Sequence, residues 1–326
     1  MDRVLSGMRP TGYLHLGNYV GALRQWVNLQ DDYECFYMVA DLHAMTTDFD
    51  GGIDLKGLTI EMVIDWLACG IDPNKSVVFV QSMVPQHVEL FTILSMITPL
   101  GWLERNPTYK DAKENIKDKD LGNLGFLAYP VLQAADIVIY KASRVPVGKD
   151  QLPHLEITRE IVRRFNYLFG NVFPEPQPIL GEVSNLYGVD GRKMSKSYGN
   201  AIYVKDSKDD VYKKVKMMVT DINRVRRSDP GNPDECRTFP LYKIFYNEIV
   251  DQVIMECTSA KIGCVECKDR IARKVIEFLE PIREKRYYYE KNKDEVIDIL
   301  KEGSKKARAI AEKTMEEVRE AVKIKF

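Results

Sequence analysis

The chain has 326 residues, a formal net charge of −1 and a composition that is 45% hydrophobic and 29% charged. Such a chain has room for a sizeable core and two domains, and its near-zero charge excludes a global basic field, so that any nucleic-acid binding must come from local patches. No apolar run approaches the roughly 20 residues that a membrane helix needs, and the N-terminus lacks a secretory pattern; we therefore expect a cytoplasmic protein without a membrane partner.

The first predicted elements are a strand, a glycine-containing turn and a helix, in that order. Residues 3–6 form the strand, the turn holds Gly7, Gly12 and Gly17, and the helix begins near Leu16. This arrangement presents backbone N–H groups to phosphate in α/β proteins.

Two polar residues of this turn are candidates for phosphate binding. His15 and Asn18 lie three residues apart, and hence on one face of the first helical turn. Both side chains can donate hydrogen bonds to phosphate oxygens, and Gly17 lets a nucleotide approach the backbone. A histidine that merely caps the helix is the alternative interpretation.

Strands and helices then alternate along the chain. Strands are predicted at residues 34–40 and 76–81, and helices at 56–69 and 88–97. Polar residues that include His43 follow the second strand, at the edge where α/β sheets bind ligands. The pattern predicts a doubly wound parallel sheet, a Rossmann-like α/β fold. Further on, Gly122 and Gly125 predict a flexible connection.

An aspartate stands inside the apolar helical segment 129–140. Asp136 follows Ala134 and Ala135, and a buried carboxylate without a partner is costly. One interpretation is a structural salt bridge or a helix cap. The other is a pocket in which the two alanines leave room for a flat ring, and the carboxylate accepts an N–H such as that of indole.

Residues 143–151 predict a strand and a glycine turn, and a helix follows over residues 151–165. Gly148 and Asp150 face the crevice as candidate ribose contacts. Gln151 and Tyr129 are candidates for holding the ammonium group of an amino acid.

Residues 193–197 read Lys-Met-Ser-Lys-Ser and lie between Gly191 and Gly199. Ammonium and hydroxyl donors on a mobile loop suit a polyphosphate whose charge shifts during a reaction. A solvated basic turn is the alternative. The complete five-residue run is far more specific than either lysine alone.

This run is identical to the second signature of class I aminoacyl-tRNA synthetases, and residues 11–18 resemble their first signature. Asn18 replaces the usual histidine, as it does in the tyrosine/tryptophan subclass. The resemblance implies an ATP site between the two signatures, Mg²⁺ bound with the ATP, and a homodimer. It assigns the catalytic roles to His15, Asn18, Lys193 and Lys196. It assigns the ATP contacts to Arg9, Thr11, Gly17, Asn18, Lys110, Gly148, Asp150, Lys193, Met194, Ser195, Lys196 and Ser197.

Segments 129–136 and 145–151 resemble the tryptophan-specific branch of this family more closely than the tyrosine-specific branch. By that resemblance, Asp136 accepts the indole N–H. The implied tryptophan-binding residues are His43, Tyr129, Gln133, Asp136 and Gln151. Two residues depart from the usual pattern, since Arg9 stands where many bacterial members have glutamine and Gln133 where methionine is usual. The implied reaction converts L-tryptophan and ATP to tryptophanyl-adenylate and pyrophosphate, and then transfers tryptophan to tRNA(Trp).

The sequence after residue 200 is charged and helical. Helices are predicted at residues 207–219, 268–278, 282–291 and 293–323, with Pro281 opening the third of them. The arginines between residues 224 and 227 are either a solubilising loop or a contact with phosphate or RNA. We expect a catalytic domain over residues 1–200 and a helical, anticodon-binding domain over residues 201–326, whose last helix packs back on the first domain.

Cys236, Cys257, Cys264 and Cys267 leave 20, 6 and 2 residues between them. The closely spaced final pair is typical of metal chelation, although four buried cysteines without a metal are the alternative. Four thiolates fit either zinc or a [4Fe–4S] cluster, and spacing does not choose between them. The spacing resembles that of bacterial members of the tryptophan branch that carry a [4Fe–4S] cluster, which favours the cluster.

Three other functions stay open. A tyrosyl-tRNA synthetase would share the fold and the chemistry. The residues around Asp136 distinguish it from the tryptophan-specific branch. A small-molecule adenylyltransferase could use the first signature but leaves the helical region without a role. A non-catalytic RNA-binding protein is disfavoured because both signatures are intact.

Overall fold

The structure is a computed structural model that describes residues 2–106, 109, 122–181 and 186–326. Its centre is a sheet of five parallel strands in the order β3-β2-β1-β4-β5. The strands are β1 (Arg3–Met8), β2 (Glu34–Val39), β3 (Ser76–Val80), β4 (Arg144–Val147) and β5 (Gln177–Leu180). The predicted doubly wound α/β fold is confirmed. The strand order reverses between β1 and β4, and such a reversal opens a crevice at the carboxyl ends of the strands.

The helices surround this sheet and continue beyond it. They are α1 (Leu16–Asn18), α2 (Arg24–Leu29), α3 (Asp41–Met45), α4 (Leu55–Ala68), α5 (Gln86–Ile97), α6 (Leu100–Glu104), α7 (Leu124–Ile139), α8 (Leu152–Phe169), α9 (Lys208–Met217), α10 (Pro240–Phe245), α11 (Val250–Thr258), α12 (Cys264–Lys291) and α13 (Lys293–Ala321). A π-helical turn, Tyr19–Leu23, joins α1 to α2. No helix in the described part of the chain is long and apolar enough to cross a membrane.

Strand β5 is not predicted by the sequence analysis. Its second residue is Pro178, which pairs in register with Val145 of β4. Proline lacks the N–H that a central strand needs, and it occurs in sheets at edge strands. β5 is such an edge strand, so its proline does not break the sheet.

Two helical segments differ in organisation from the prediction. α12 is one continuous helix through Pro281, whereas the sequence predicts two helices there. Proline removes one backbone hydrogen bond, but the residues that α12 buries lie on both sides of it, and they pack against α4 and α9. α7 begins at Leu124 with Asn123 accepting a hydrogen bond from the Phe126 N–H at 2.9 Å. Gly125 therefore lies in the first turn of a helix and not in a flexible connection.

The last helix, α13, packs against the edge strand β3 and against α5. Its predicted apolar stripe is buried there, at Val296, Leu300, Ala307, Ala311, Met315 and Val318. The Ser304 hydroxyl accepts a hydrogen bond from the Val80 N–H at 3.2 Å, which satisfies a donor at the sheet edge. A helix that covers an edge strand also protects it from pairing with another chain.

Gly303 permits the close approach of α13 to the sheet. A Cβ atom at this position would overlap the carbonyl oxygen of Val78, which is a backbone atom of β3 and cannot rotate away. We expect Gly303→Ala to lower the free energy of unfolding by about 1–3 kcal/mol, the usual cost of overpacking, although alanine favours a helix by about 1 kcal/mol. Denaturant unfolding measures the change.

Gly101→Ala is the matched control for this substitution. Gly101 lies in α6, and a Cβ atom there has no neighbour within 4 Å in the part of the chain that the structure describes. This variant should be as stable as the parent protein or slightly more stable. Equal stability of both variants would contradict the role assigned to Gly303.

Candidate active site

A cleft of about 600 Å³ opens at the carboxyl ends of β1 and β4, the position where doubly wound sheets bind ligands. Its volume lies within the range of about 300–1,000 Å³ for small-molecule sites. The structure brings all five predicted tryptophan-binding residues to this cleft, together with two predicted ATP contacts. They are His43, Tyr129, Gln133, Asp136 and Gln151, with Arg9 and Gly148.

Asp136 lies in α7 and lines the cleft, and only 1% of its surface is exposed. Three side chains surround its carboxylate. Nε2 of His43 is 2.8 Å from Oδ2, Nδ1 of His87 is 2.6 Å from Oδ1, and the Gln81 amide donates to both oxygens at 2.8 and 3.0 Å. Burial by itself raises the pKa of Asp136, but the hydrogen bonds and the electrostatic attraction of His43 and His87 together outweigh it, and the pKa lies below its usual value. The group is therefore an ionised, acceptor-only carboxylate.

The sequence analysis predicts a partner for Asp136 but misses Gln81 and His87. Gln81 directly follows β3, so the reasoning that singled out the polar residues after β2 applies equally to it. His87 lies near the start of α5, and the sequence offers no comparable signal for its contact with a residue 49 positions away.

Tyr129 and Gln151 are joined through His154, which the sequence analysis also misses. The Tyr129 hydroxyl is 2.6 Å from Nε2 of His154, and Nδ1 of His154 is 2.9 Å from Oε1 of Gln151. Because the Gln151 oxygen accepts from Nδ1–H, Nε2 accepts from the tyrosine hydroxyl. These two hydrogen bonds hold Tyr129 and Gln151, the two predicted ammonium contacts, in one place. The available signal is the three-residue spacing from Gln151, which places His154 on the same helix face.

His15 and Asn18 cap each other at the start of α1. The Asn18 N–H donates to Nδ1 of His15 at 3.2 Å, and the His15 N–H donates to Oδ1 of Asn18 at 3.3 Å. Burial, followed by the charge of Lys196, lowers the pKa of His15 to about 4. The ring is therefore neutral near pH 7, and since Nδ1 accepts, Nε2 carries the proton. A Cβ atom at Gly17 would lie 3.0 Å from this ring.

The loop of residues 193–197 meets the first signature turn. Nζ of Lys196 donates to the carbonyl oxygen of Gly12 at 2.8 Å, and the Ser195 N–H donates to Oδ1 of Asn200 at 2.9 Å. Met194 is buried beside Gly17, whereas the Lys193 side chain is exposed. Burial, with a smaller effect from Arg9, lowers the pKa of Lys196 to about 8. The two signatures are thus adjacent.

The remaining predicted ATP contacts have different outcomes. Thr11 lies in the turn before Gly12, where its N–H donates to the carbonyl oxygen of Arg9 at 2.9 Å. Lys110 and the side chains of Asp150 and Ser197 lie outside the described part of the structure. The contacts of all these residues with ATP stay predictions.

A buried ion pair that the sequence analysis misses supports the first signature turn. Oδ2 of Asp65 in α4 accepts a hydrogen bond from the Leu14 N–H at 3.1 Å, and its other oxygen pairs with Arg286 of α12. Arg286 also pairs with Glu61. Asp65 lies in an apolar helix, as Asp136 does. The argument that a buried carboxylate needs a partner therefore applies to Asp65 as well. Arg286 is 221 residues away, and only the fold brings it to α4.

The four predicted metal ligands line one cavity with Arg224. NH1 of Arg224 lies 3.9 Å from the sulfur of Cys264 and 4.0 Å from that of Cys257. NH2 donates to the carbonyl oxygens of Arg227 and Ile262 at 2.8 and 2.9 Å. Arg224 is therefore half-buried against the cysteines, whereas Arg226 and Arg227 of the same loop are exposed. Among the described residues, no group of three or more His, Cys, Asp or Glu side chains is arranged to hold a metal ion.

Comparisons with known proteins give relatives of one family, and the alignments with individual relatives cover nearly the whole chain. The family model for class I tRNA synthetases (W and Y) matches residues 2–280. The chain is 53% identical over 327 residues to the tryptophan–tRNA ligase of Thermotoga maritima, with 99% of this chain and 100% of the relative covered. It is 44% identical over 393 aligned residues to the corresponding ligase of Aquifex aeolicus, with 99% and 100% covered.

A crystal structure of tryptophanyl-tRNA synthetase from Campylobacter jejuni, complexed with ADP and tryptophan, is similar throughout. It has a TM-score of 0.87 and 37% identity, and 98% of this chain and 99% of that chain are covered. A tyrosyl-tRNA synthetase structure from Archaeoglobus fulgidus has a TM-score of 0.67, with 87% of this chain and 90% of that chain covered. Its identity is 19%, so this similarity concerns the fold alone.

Proposed function

The chain belongs to the class I tRNA synthetase family of the tryptophan and tyrosine type, and from this premise we propose that it is a tryptophan–tRNA ligase. It activates L-tryptophan with ATP, releases pyrophosphate, and transfers tryptophan to tRNA(Trp). Full-length relatives with this activity at 41–53% identity support the proposal, whereas the tyrosyl enzyme resembles the chain only in fold. A small-molecule adenylyltransferase does not account for this similarity over the whole length.

The observation that carries this choice of amino acid is the buried carboxylate of Asp136. It is ionised, it can only accept hydrogen bonds, and it lines the cleft. An indole N–H is a donor without acceptor capacity, so it matches this group. Apolar fit alone separates similar side chains by about 10–200-fold, whereas a site built around a substrate hydrogen bond reaches about 10⁴–10⁵-fold.

ATP–pyrophosphate exchange with each standard amino acid supplied separately tests the proposal. Exchange with tryptophan alone is the expected result. Exchange with tyrosine would retain the fold and the chemistry but refute the assignment of the pocket. Exchange with no amino acid, from folded protein, would refute the proposed activity.

In the proposed activation step, ATP lies between the two signatures. The Nε2–H of neutral His15 and the amide of Asn18 donate to phosphate oxygens, and the ammonium groups of Lys193 and Lys196 attract the triphosphate. The tryptophan carboxylate attacks the α-phosphorus, and pyrophosphate leaves. No side-chain nucleophile is required, because catalysis consists of positioning and the stabilisation of charge on phosphate oxygens. Mg²⁺ binds with the ATP phosphates and not in a separate protein site.

The amino-acid end of the cleft positions the attacking carboxylate. Asp136 accepts the indole N–H, with His43 and Gln133 beside the ring, and Tyr129 and Gln151 hold the ammonium group. The hydrogen-bonded chain through His154 supports this role, because it keeps these two side chains in fixed relative positions. The terminal ribose of the tRNA then attacks the carbonyl carbon of the adenylate, and AMP leaves.

We expect kcat/KM for ATP to fall above about pH 8. Burial lowers the pKa of Lys196 to about 8, and only its protonated form attracts the triphosphate. As the pH rises through this pKa, the ammonium loses its proton, and the competent fraction falls about tenfold for each further pH unit. The pH profile of kcat/KM for ATP in pyrophosphate exchange measures this decrease, which is the alkaline limb of the profile.

Lys196→Arg is the control for the pH profile. Arginine stays protonated throughout the accessible range, so the alkaline limb should move to higher pH even if the variant is slower. A limb that stays near pH 8 in this variant would assign it to another group.

The residues after 200 form the proposed anticodon-binding domain, and the catalytic domain comprises residues 1–200.

We propose that Cys236, Cys257, Cys264 and Cys267 hold a [4Fe–4S] cluster, with zinc as the alternative. The donor set fits a cluster, because four thiols line one cavity and each iron takes one thiolate. Nε of Arg224 is buried there without a hydrogen-bond partner among the described residues, and a cationic guanidinium suits an anionic group. When bound, the cluster would cross-link α11 and α12 to the loop before α10.

Iron and acid-labile sulfide assays on anaerobically purified protein test the cluster. We expect about four of each per chain, the content of a [4Fe–4S] cluster, and a loss of both in Cys264→Ser. Cys35→Ser is the control, because Cys35 lies in β2, outside the cysteine cavity. Stoichiometric zinc without iron would refute the cluster. The homodimer rests on the family resemblance, and sedimentation analysis tests it. The cytoplasmic location stays a prediction of the sequence.

A further inference from the structure

The carboxylate of Asp136 has a partner, His87, that does not line the cleft. His87 lies on α5 and is fully buried. Its Nδ1 contacts Oδ1 of Asp136, and its Nε2 is 2.8 Å from the Tyr140 hydroxyl. The ring also packs against the rings of Phe79 and Tyr140, at centroid distances of 6.1 and 5.4 Å. Two hydrogen bonds and two aromatic neighbours therefore hold this imidazole in one orientation.

The proton on Nδ1 of His87 follows from its partner. The carboxylate of Asp136 is ionised and can only accept, so Nδ1 of His87 carries a proton and donates it to Oδ1. Burial raises the pKa of Tyr140 well above its usual value, so the phenol stays protonated. Among the described residues, its hydroxyl has Nε2 of His87 as its hydrogen-bond partner. The hydrogen-bonded chain from Tyr140 through His87 therefore ends on Oδ1.

The two oxygens of Asp136 therefore have different surroundings. Oδ1 accepts from His87 and from Gln81 at its shorter distance, and both of these residues are fully buried. Oδ2 accepts from His43, the one donor of the three that lines the cleft, and from Gln81 at its longer distance of 3.0 Å. A ligand can reach Oδ2 by displacing His43.

We propose that His87 is a positioning residue for substrate selection, which holds Oδ1 of Asp136 so that Oδ2 faces the cleft and accepts the indole N–H. This inference rests on the proposed function, in which the cleft binds tryptophan. The terminal torsion of an aspartate is broad, so a carboxylate that lacks His87 is free to rotate. Discrimination against a ring of the same shape without an N–H should then fall, while binding of the ring itself is retained.

The test compares two substrates that differ in this one donor. They are L-tryptophan and β-(3-benzothienyl)-L-alanine, in which sulfur replaces the indole N–H. The readout is the ratio of their kcat/KM values in ATP–pyrophosphate exchange. The parent protein should prefer tryptophan by about 10⁴-fold. His87→Leu, which removes the donor, should lower this ratio by about 10–100-fold, as loss of an outer-sphere orienting partner does at metal sites.

A conservative variant and a control separate positioning from loss of stability. The Nδ2 atom of asparagine lies near the position of Nδ1 in histidine, so His87→Asn should restore most of the ratio. Leu94→Ala changes another buried residue of α5, about two helical turns from His87, so it should leave the ratio unchanged even if the protein is less stable.

Each outcome is decisive. An unchanged ratio in folded His87→Leu overturns the proposal. If that variant does not fold, Tyr140→Phe replaces it: a loss of about fivefold, the effect of one hydrogen bond, supports the proposal, and no loss overturns it. A parent protein that accepts both substrates equally would refute the assignment of Asp136 and this inference with it. A parent protein that does not activate tryptophan would refute the proposed function itself.

Discussion

Replacing Asp136 with alanine is expected to lower kcat/KM for tryptophan in ATP–pyrophosphate exchange by about 10⁴-fold, the scale at which a site built around a substrate hydrogen bond rejects a mismatch. The substitution removes the proposed acceptor for the indole N–H. It also leaves donors from His43, Gln81 and His87 unpaired in a buried site, and each unpaired donor costs about 1–3 kcal/mol. Selectivity for tryptophan and its activation should therefore be lost together.

Two measurements separate this effect from unfolding. The KM for ATP should be unchanged, because Asp136 lines the proposed amino-acid pocket, and no described residue of 11–18 or 193–197 lines that cleft. Asp136→Asn keeps the volume and one acceptor oxygen, so it should retain the fold and lose less activity than the alanine variant. Unchanged tryptophan kinetics in Asp136→Ala would refute the role assigned to this carboxylate.

Replacing Arg286 with methionine is expected to lower the free energy of unfolding by about 3–5 kcal/mol, the cost of leaving one partner of a buried ion pair uncompensated. Arg286 is 3% exposed and Asp65 is fully buried. The same carboxylate holds the Leu14 N–H beside His15, so slower pyrophosphate exchange should accompany the loss of stability. Denaturant unfolding measures the first effect, and kcat for exchange measures the second.

The loss of stability in this variant should depend on pH. Burial, the largest effect, raises the pKa of Asp65 to about 6, although Arg286 lowers it; without Arg286 it rises further. A carboxyl whose pKa is higher in the folded state than in the unfolded chain favours folding at low pH, and this contribution is lost as the pH rises through the folded pKa. The variant should therefore be closer to the parent protein at about pH 5 than at about pH 8.

Two further variants isolate the buried charge. Asp65→Asn in the Arg286→Met background removes the charge and keeps an acceptor for Leu14, so it should recover part of the lost stability. Arg163→Met makes the same substitution at an exposed arginine that pairs with Glu156 and Glu175. It should change stability little, because exposed ion pairs are screened by water. Equal losses at Arg163 and Arg286 would contradict the role of burial.

Local patterns in the sequence were sufficient for the fold class and for most elements. Hydrophobic periodicity and glycine turns predicted β1 to β4 and the helices that connect them, because these signals act over a few neighbouring residues. They failed where packing outweighs a local preference. α12 continues through Pro281 because buried residues on both sides of the proline hold its axis, and β5 accommodates Pro178 because it lies at the sheet edge.

The sequence by itself also determined both signatures, the aspartate in the apolar segment and the four cysteines, since each is a short pattern of unusual chemistry. Only the tertiary structure decided the partners of these groups. Asp136 meets His87 and Gln81, the turn at His15 is supported by Asp65 and Arg286, and Arg224 lies against the cysteines. The physical reason is that a buried charge selects its partner by position in space, and residues as far as 221 positions apart become neighbours only when the sheet and the helices pack.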